Sequence, residues 1–456
     1  MKAPQSAQEK FAVMTTQPIR PLVLRLAAPT IVSMLVTSLY NMADTFFVGK
    51  IGTSATAAVG VVFSLMAVIQ ALGFTFGHGS GNYISRKLGA KDNESAETMA
   101  STGFFSALIT GFIVMALGLI FLDPLVRMLG ATPTILPYAR DYTRLILLGS
   151  PFMISSLVLN NQLRFQGSAS YAMVGITSGA VLNVALDPLF IFGLDMGVAG
   201  AALATSLSQI VGFCLLLAGT HRGSNIPIRL RAFRPALTRY REILRGGLPS
   251  LCRQGLGSVA TIALNLAAGP YGDAAIAAMS IVSRVMQFAM SAVLGFGQGF
   301  QPVCGFNYGA RLYGRVREAF FFCLRISFVI LVALSALGFA LAPQVIEIFR
   351  KADPVVVQIG AAALRCQCVL FPFVSYITMT NMMLQTIGQS LKASVLAAAR
   401  QGLFFLPVIL ILPRALGMTG LLISQPVADL CTLLLALPLG YTTLRDMKRA
   451  QRAPAA

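Results

Sequence analysis

The chain has 456 residues, of which 56% are hydrophobic and only 11% charged, with a mean hydropathy of +0.75. Soluble domains carry about 25% charged residues, so this composition excludes a set of soluble domains. The net charge of +19 does not indicate nucleic acid, because the cations sit in short loops between apolar runs and form no basic face interleaved with aromatics.

In chain order, residues 1–21 form a polar, weakly basic tail with no cleavable signal pattern. Apolar runs long enough to cross about 30 Å of hydrocarbon follow. They lie near 22–48, 54–79, 98–122, 138–161, 170–193 and 196–220. A basic segment, 221–246, is the only long linker. Six more runs follow near 247–270, 276–302, 318–342, 357–381, 392–412 and 416–441, and 442–456 is a second basic tail.

The second set of runs repeats the first at an offset of 219–221 residues. Pro29 answers Pro249, Gly52 answers Gly272, and Gly77-His78-Gly79 answers Gly297-Gln298-Gly299. Gly89-Ala90-Lys91 answers Gly309-Ala310-Arg311, Pro151 answers Pro372, Gly167 answers Gly388, and Gly197-x-x-Gly200 answers Gly417-x-x-Gly420. Six spans per unit is even, so the two units enter from the same side as parallel repeats, a common transporter plan. The expected fold is an all-α integral membrane protein of twelve transmembrane helices in two parallel six-helix repeats, 22–220 and 247–441, with the substrate path between them.

Loop charges set the expected orientation. Lys2, Lys10, Arg20 and Arg25, then Arg86, Lys87 and Lys91, then the seven arginines of 221–246, then Arg311, Arg315 and Arg317, and finally the C-terminal tail fall on one side. Lys50, Arg127, Arg140, Arg350, Lys351 and Arg414 are the sparser set on the other. The positive-inside rule places both termini and the linker in the cytoplasm.

The seven cysteines read as small buried hydrophobes, and His78 and His221 have no ligand neighbours. Ionisable residues at membrane depth are costly and mark function by default. Asp44 in the first span and Asp187 in the fifth lie five and six residues before Gly49 and Gly193. Each therefore sits about 8–9 Å inside its helix end. Tyr40 and Asn183 are one turn earlier on the same faces, and Asn41 is beside Tyr40. Pro188 has no N–H, which frees the Val184 carbonyl. Thr205 lies about 13 Å down the sixth span. These are hard oxygen donors at matching depth and suit Na+; two carboxylates in one dry site also suit a carried proton. The alternative is that Asp44 caps a helix end and Asp187 pairs with a neighbouring helix. The second unit does not copy the pair: Leu264 stands opposite Asp44, and its spans offer Arg253, Gln254, Arg284, Arg365, Arg400 and Asp429. Arg284 can equally pair with an acid or meet an anionic group.

Three stretches carry a resemblance. They are Tyr40-Asn-Met-Ala-Asp-Thr-Phe-Phe-Val-Gly-Lys-Ile-Gly52, Asn183-x-x-x-Asp-Pro-x-Phe-Ile-Phe-Gly193, and Gly197-x-x-Gly-Ala-Ala-x-Ala-Thr205. With them the chain resembles the multidrug and toxic compound extrusion (MATE) family, in particular its MepA-like and DinF-like bacterial branches, over about 15–445. The resemblance implies two six-helix lobes, an N-lobe and a C-lobe, in a V around a central cavity, and a monomeric secondary transporter in the cell (inner) membrane of a bacterium. A membrane enzyme would need a catalytic constellation such as a His-rich metal motif, and two isolated histidines argue against one. The resemblance also implies efflux of drug-like small molecules coupled to inward H+ or Na+, with no other cofactor. The cation site it implies maps onto Asp44, Asn183, Asp187 and Thr205, with Tyr40, Asn41, Gln254 and Arg284 as candidate cavity-lining residues. A lipid-linked sugar flippase of the wider superfamily is the competing function.

Overall fold

The computed structural model describes residues 6–349 and 353–452, so Lys2, Arg350 and Lys351 of the loop-charge argument lie outside the described residues. Among the described residues there are helices and turns and no strand. A short helix, α1 (Ala7–Thr16), precedes the first lobe. That lobe comprises α2 (Ile19–Gly49), α3 (Thr53–Gly89), α4 (Asn93–Ile120), the short α5 (Leu122–Met128), α6 (Leu136–Phe165), α7 (Ala169–Pro188) and α8 (Gly197–Thr220). The second lobe comprises α9 (Leu237–Ala268), α10 (Asp273–Gly309), α11 (Tyr313–Ala340), the short α12 (Ala342–Phe349), α13 (Pro354–Leu370), α14 (Val374–Thr386), α15 (Ser390–Ala398), α16 (Phe405–Leu416) and α17 (Met418–Arg452).

Pairs α13–α14 and α15–α16 are each one span, interrupted by a 3₁₀ turn at Phe371–Phe373 and a π turn at Ala399–Leu403. The chain therefore has two units of six spans. Eleven of these helices are long and apolar enough to cross a membrane on composition alone. The remaining span, α9, is as long as the others, but Arg253, Gln254 and Asn265 dilute its apolar window. It begins at Leu237, inside the segment read from sequence as linker, and α17 runs helically into the C-terminal tail as far as Arg452. The 37 residues of α3 and of α10 span about 55 Å, well beyond the hydrocarbon, so their polar ends project past the apolar runs.

The duplication is written in the backbone. Lys91 and Arg311, 220 residues apart, both adopt left-handed conformations (φ 62 and 60). Gly52 and Gly272, Gly167 and Gly388, and Gly197 and Gly417 are likewise matched pairs with positive φ. Asn160 donates to the Ala172 carbonyl at 3.0 Å, and its counterpart Asn381 donates to the Ala393 carbonyl at 2.7 Å.

The lobes meet at the end that carries the linker and both termini. There α3 packs on α9, α2 on α10, and α3 on α10. A Cβ on Gly89 would collide with the Phe306 carbonyl, and one on Gly309 with the Arg86 carbonyl; these four positions are two pairs at the repeat offset. Gly247 rests on the Thr75 backbone and Gly299 on Ala27. Thr30 donates across the seam to the Gly295 carbonyl at 2.6 Å. Toward the other end the same stripe of α9 comes free: Gly257 has nothing within 4 Å of an added Cβ. The structure is closed at the terminus-bearing end and open at the opposite one.

Helix α1 straps the closed end. Met14 packs in the cluster built from α2, α10, α11, α14 and α17, while Asn307 donates to its carbonyl and Arg315 to that of Gln17. Lys10 reaches the other lobe, donating to Ser168 Oγ (3.1 Å), the Ser224 carbonyl (3.0 Å) and Asn225 Oδ1 (2.8 Å). Burial of this amine among neutral acceptors lowers its pKa from 10.5 to about 7. The docked strap thus binds fewer protons than the detached one between pH 7 and 10.5, and its docking should strengthen as pH rises through that window. Hydrogen exchange over residues 7–16, corrected for intrinsic rates, should show more protection at the upper end of this range than at the lower. Lys10→Met should remove the pH dependence; protection independent of pH in the unmodified protein would contradict this account of Lys10.

Candidate functional site

The acidic pocket is built by α2, α7 and α8 of the first lobe, which pack on one another. Pro188 closes α7, and with no N–H at that position the chain widens into a π turn over Leu189–Gly193, where the Leu194 amide reaches the Leu189 carbonyl at 2.9 Å. Asp187 sits immediately before this irregularity and is fully buried. Asn183, one turn earlier, and Thr205 on α8 are buried beside it. The Asn183 amide lies 3.2 Å from Thr205 Oγ1. In the orientation that satisfies both of its ends, its nitrogen donates to Asp187 Oδ2 and its oxygen accepts from Thr205 Oγ1 and N, each at 3.2 Å.

Asp44 on α2 faces the same pocket: its charge acts on Asp187, and both charges act on Tyr40. Neither Asp44 Oδ1 nor Asp187 Oδ1 has a hydrogen-bond partner. Two carboxylate oxygens are thus left over once the protein's own donors have been used. That is what a guest cation or proton needs and what a purely structural cap would not leave. Among the described residues no group of three or more His, Cys, Asp or Glu side chains could hold a metal ion, so any cation here would rest on two carboxylates and neutral oxygens.

The other candidates are spread along the space between the lobes. Asn41 is exposed on α2, one turn beyond Ser38, which meets Ser291 of α10 at 3.4 Å. Arg284 is seven residues before Ser291, on the same helical face and about 10 Å nearer the open end. It is exposed, and no ion pair involves it among the described residues. Gln254 follows Ser250 by one turn on the seam-facing stripe of α9. In the second lobe the buried carboxylate is already engaged: Asp429 accepts from Arg400 Nε (2.8 Å) and Nη2 (3.3 Å) and from Gln425 Nε2 (2.9 Å). The seven cysteines are all free thiols; Cys304, Cys323 and Cys368 are buried, and Cys214 is exposed.

Sequence reasoning missed two features. Tyr142 on α6 is buried within the field of both aspartates, a position that neither spacing nor hydropathy signals. Arg164 lies just past the end of an apolar run yet is buried. Its Nη1 donates to Gln298 Oε1 (2.6 Å), and its Nη2 to Asn161 Oδ1 (2.6 Å) and His78 Nε2 (3.1 Å). Guanidinium cannot accept, so His78 is held as the neutral tautomer with its proton on Nδ1, which donates to Ser250 Oγ at 2.8 Å. Gln385 also donates to Ser250 Oγ, at 2.9 Å. This network ties the lobes together above the closed seam.

A two-lobed bundle with a duplicated six-span unit and a polar pocket off a central space defines a multi-pass membrane transporter. The MatE family model matches residues 29–189 and 249–411, one match in each repeat, and the chain belongs to this family of multidrug and toxic compound extrusion transporters. Multidrug export protein MepA of Staphylococcus haemolyticus (strain JCSC1435) is 28% identical over 443 residues, covering 94% of this chain and 95% of that one. Its counterpart from Staphylococcus saprophyticus is 29% identical at the same coverage. Among solved structures, an outward-facing multidrug resistance MATE family transporter of the MOP superfamily superimposes with a TM-score of 0.91 at 30% identity, covering 98% of this chain and 100% of that one. A MOP superfamily transporter from Pyrococcus furiosus, described by a reversed polarity of its binding pocket, gives 0.90 at 29% identity over 98% and 100%.

Arg400→Ala would strand the Asp429 carboxylate in the helix bundle, at a cost of about 3–5 kcal/mol. The midpoint of thermal unfolding in detergent should fall clearly for Arg400→Ala. It should fall much less for the double variant Arg400→Met with Asp429→Leu, and equal losses in the two would show that the pair is not what holds the π turn at Ala399–Leu403 to α17.

Proposed function

We propose that this chain is a secondary antiporter in the cell membrane of a bacterium that expels drug-like amphipathic molecules, often cationic, in exchange for inward H+ or Na+. The observation that carries this reading is the pair of carboxylates, Asp44 and Asp187, each with an oxygen left without a partner beside Asn183 and Thr205. An anionic pocket in one lobe only, beside a space that is open at one end, can exchange a bound cation for the transported molecule as access alternates. The relatives named as multidrug export proteins, matched over nearly the whole chain, support efflux as the direction. The neutralised Asp429 argues for a coupling site in the first lobe alone. With the termini and linker cytoplasmic, as the basic loops imply, the open end faces outward.

In proteoliposomes loaded with ethidium, Asp44→Asn and Asp187→Asn should each abolish efflux driven by an imposed pH or Na+ gradient while leaving insertion intact. Transport at the unmodified rate in either variant would remove that aspartate from the coupling site. Imposing the two gradients separately identifies the driving ion, and transport of a lipid-linked sugar instead of dye would favour the flippase function. A cysteine placed at Arg222, in a background free of the other seven, should react with a membrane-impermeant maleimide only from the cytoplasmic side; labelling of intact cells would invert the orientation.

A further inference from the structure

The acidic pocket is one pole of the space between the lobes, and the floor is the other. Arg164 is 1% exposed, and every group it donates to is neutral: Gln298, Asn161 and His78. Its Nε has no partner. Arg253 is half-buried on α9, one turn beyond Ser250, and neither a hydrogen bond nor an ion pair engages it among the described residues. The charge of Arg253 acts on both Arg164 and His78. No carboxylate offsets either guanidinium among the described residues, in contrast to Arg400 with Asp429.

Position makes this more than an unpaired charge. Gly247, Ser250, Arg253 and Gly257 follow one another along the seam-facing side of α9. At Gly247 that side touches the α3 backbone, and at Gly257 it is clear of any neighbour. Arg253 therefore stands where the lobes begin to part, at the floor of the open space, one turn from the Ser250–His78–Arg164 chain of hydrogen bonds. Two like charges held together at membrane depth call for an anion, and nothing in this part of the chain supplies one. Guanidinium presents a planar fork that fits a carboxylate with two parallel hydrogen bonds.

We propose that Arg253, backed by Arg164, is an anion subsite that receives the carboxylate of a transported molecule, so that the protein takes zwitterionic amphiphiles in preference to cations of the same shape. The subsite rests on the efflux reading above and adds a substrate class to it. A zwitterion would place its cationic part toward the N-lobe acids and its carboxylate on the floor. Asp44 and Asp187 then discriminate by positive charge and Arg253 by negative charge.

The test uses the full-length protein in proteoliposomes and a matched dye pair: a rhodamine with a free benzoate and the same rhodamine as its methyl ester. The unmodified protein should bind the acid at least about tenfold more tightly than the ester. Arg253→Gln should bring that ratio to about one, and Arg253→Lys, which keeps the charge but loses the fork, should retain part of it. Monodispersity on size exclusion and an unchanged helical spectrum show that the variants are folded. A preference for the acid that survives Arg253→Gln, or none in the unmodified protein, overturns the subsite. If the ester is exported without any preference, the efflux reading stands and the anion subsite fails. If neither dye binds, both fail.

Discussion

The structure depends on a backbone-to-backbone approach between lobes. Where α3 crosses α10, Gly89 lies on the Phe306 carbonyl and Gly309 on that of Arg86, and no side chain larger than hydrogen fits either place. Deeper in the bilayer, where Gly247 rests on the Thr75 backbone and Gly299 on Ala27, hydrophobic attraction adds little, since lipid is as apolar as leucine. Close van der Waals contact along small residues, together with hydrogen bonds such as Thr30 to Gly295, is what closes the seam. Because the lobes are stiff bundles, contact at one end sets their separation at the other. The open space, its acidic wall and its cationic floor all follow from that crossing.

Duplication kept the backbone and released the side chains. Lys91 and Arg311 share a left-handed turn, and Asn160 and Asn381 make the same hydrogen bond, yet the chemistry at matched positions has split. His78 faces Gln298 across the repeat, and Arg164 corresponds to Gln385; all four belong to one interlobe network. Asp44 corresponds to Leu264. The first lobe holds the ionisable member of each of these pairs, and the second holds a neutral one. A symmetric frame with asymmetric charge lets one lobe respond to a cation while the other serves as the surface it moves against.

Much of this was legible in the residues. A 220-residue repeat, twelve apolar runs and two aspartates at matched depth gave the architecture and the acidic pocket. Hydropathy failed where the environment is not lipid. It cut α3 and α10 short because their last turns leave the hydrocarbon, and it assigned the first turns of α9 to the linker because Arg239, Arg241 and Arg245 mask a helix that packs on α3. Arg164 escaped notice because a buried arginine solvated by amides and a histidine has no local pattern; its partners come from its own helix and two others, and from both lobes. Helix α1 has a weak apolar face and gains its place from tertiary contacts: Lys10 on Ser168 and Asn225, Met14 in a cluster shared by both lobes, and Asn307 and Arg315 of the second lobe on its carbonyl end.

The most direct test of the account is the distance across the closed seam during turnover. Spin labels at Ala90 and Ala310, which follow the two crossing glycines, report it by double electron–electron resonance in nanodiscs. The account predicts a short distance matching this structure and a longer one, with the balance between them shifting when the pH or Na+ concentration changes. That shift should disappear when Asp44 and Asp187 are both replaced by asparagine. A single short distance under every condition, in a protein that still transports, would contradict alternating access through this seam.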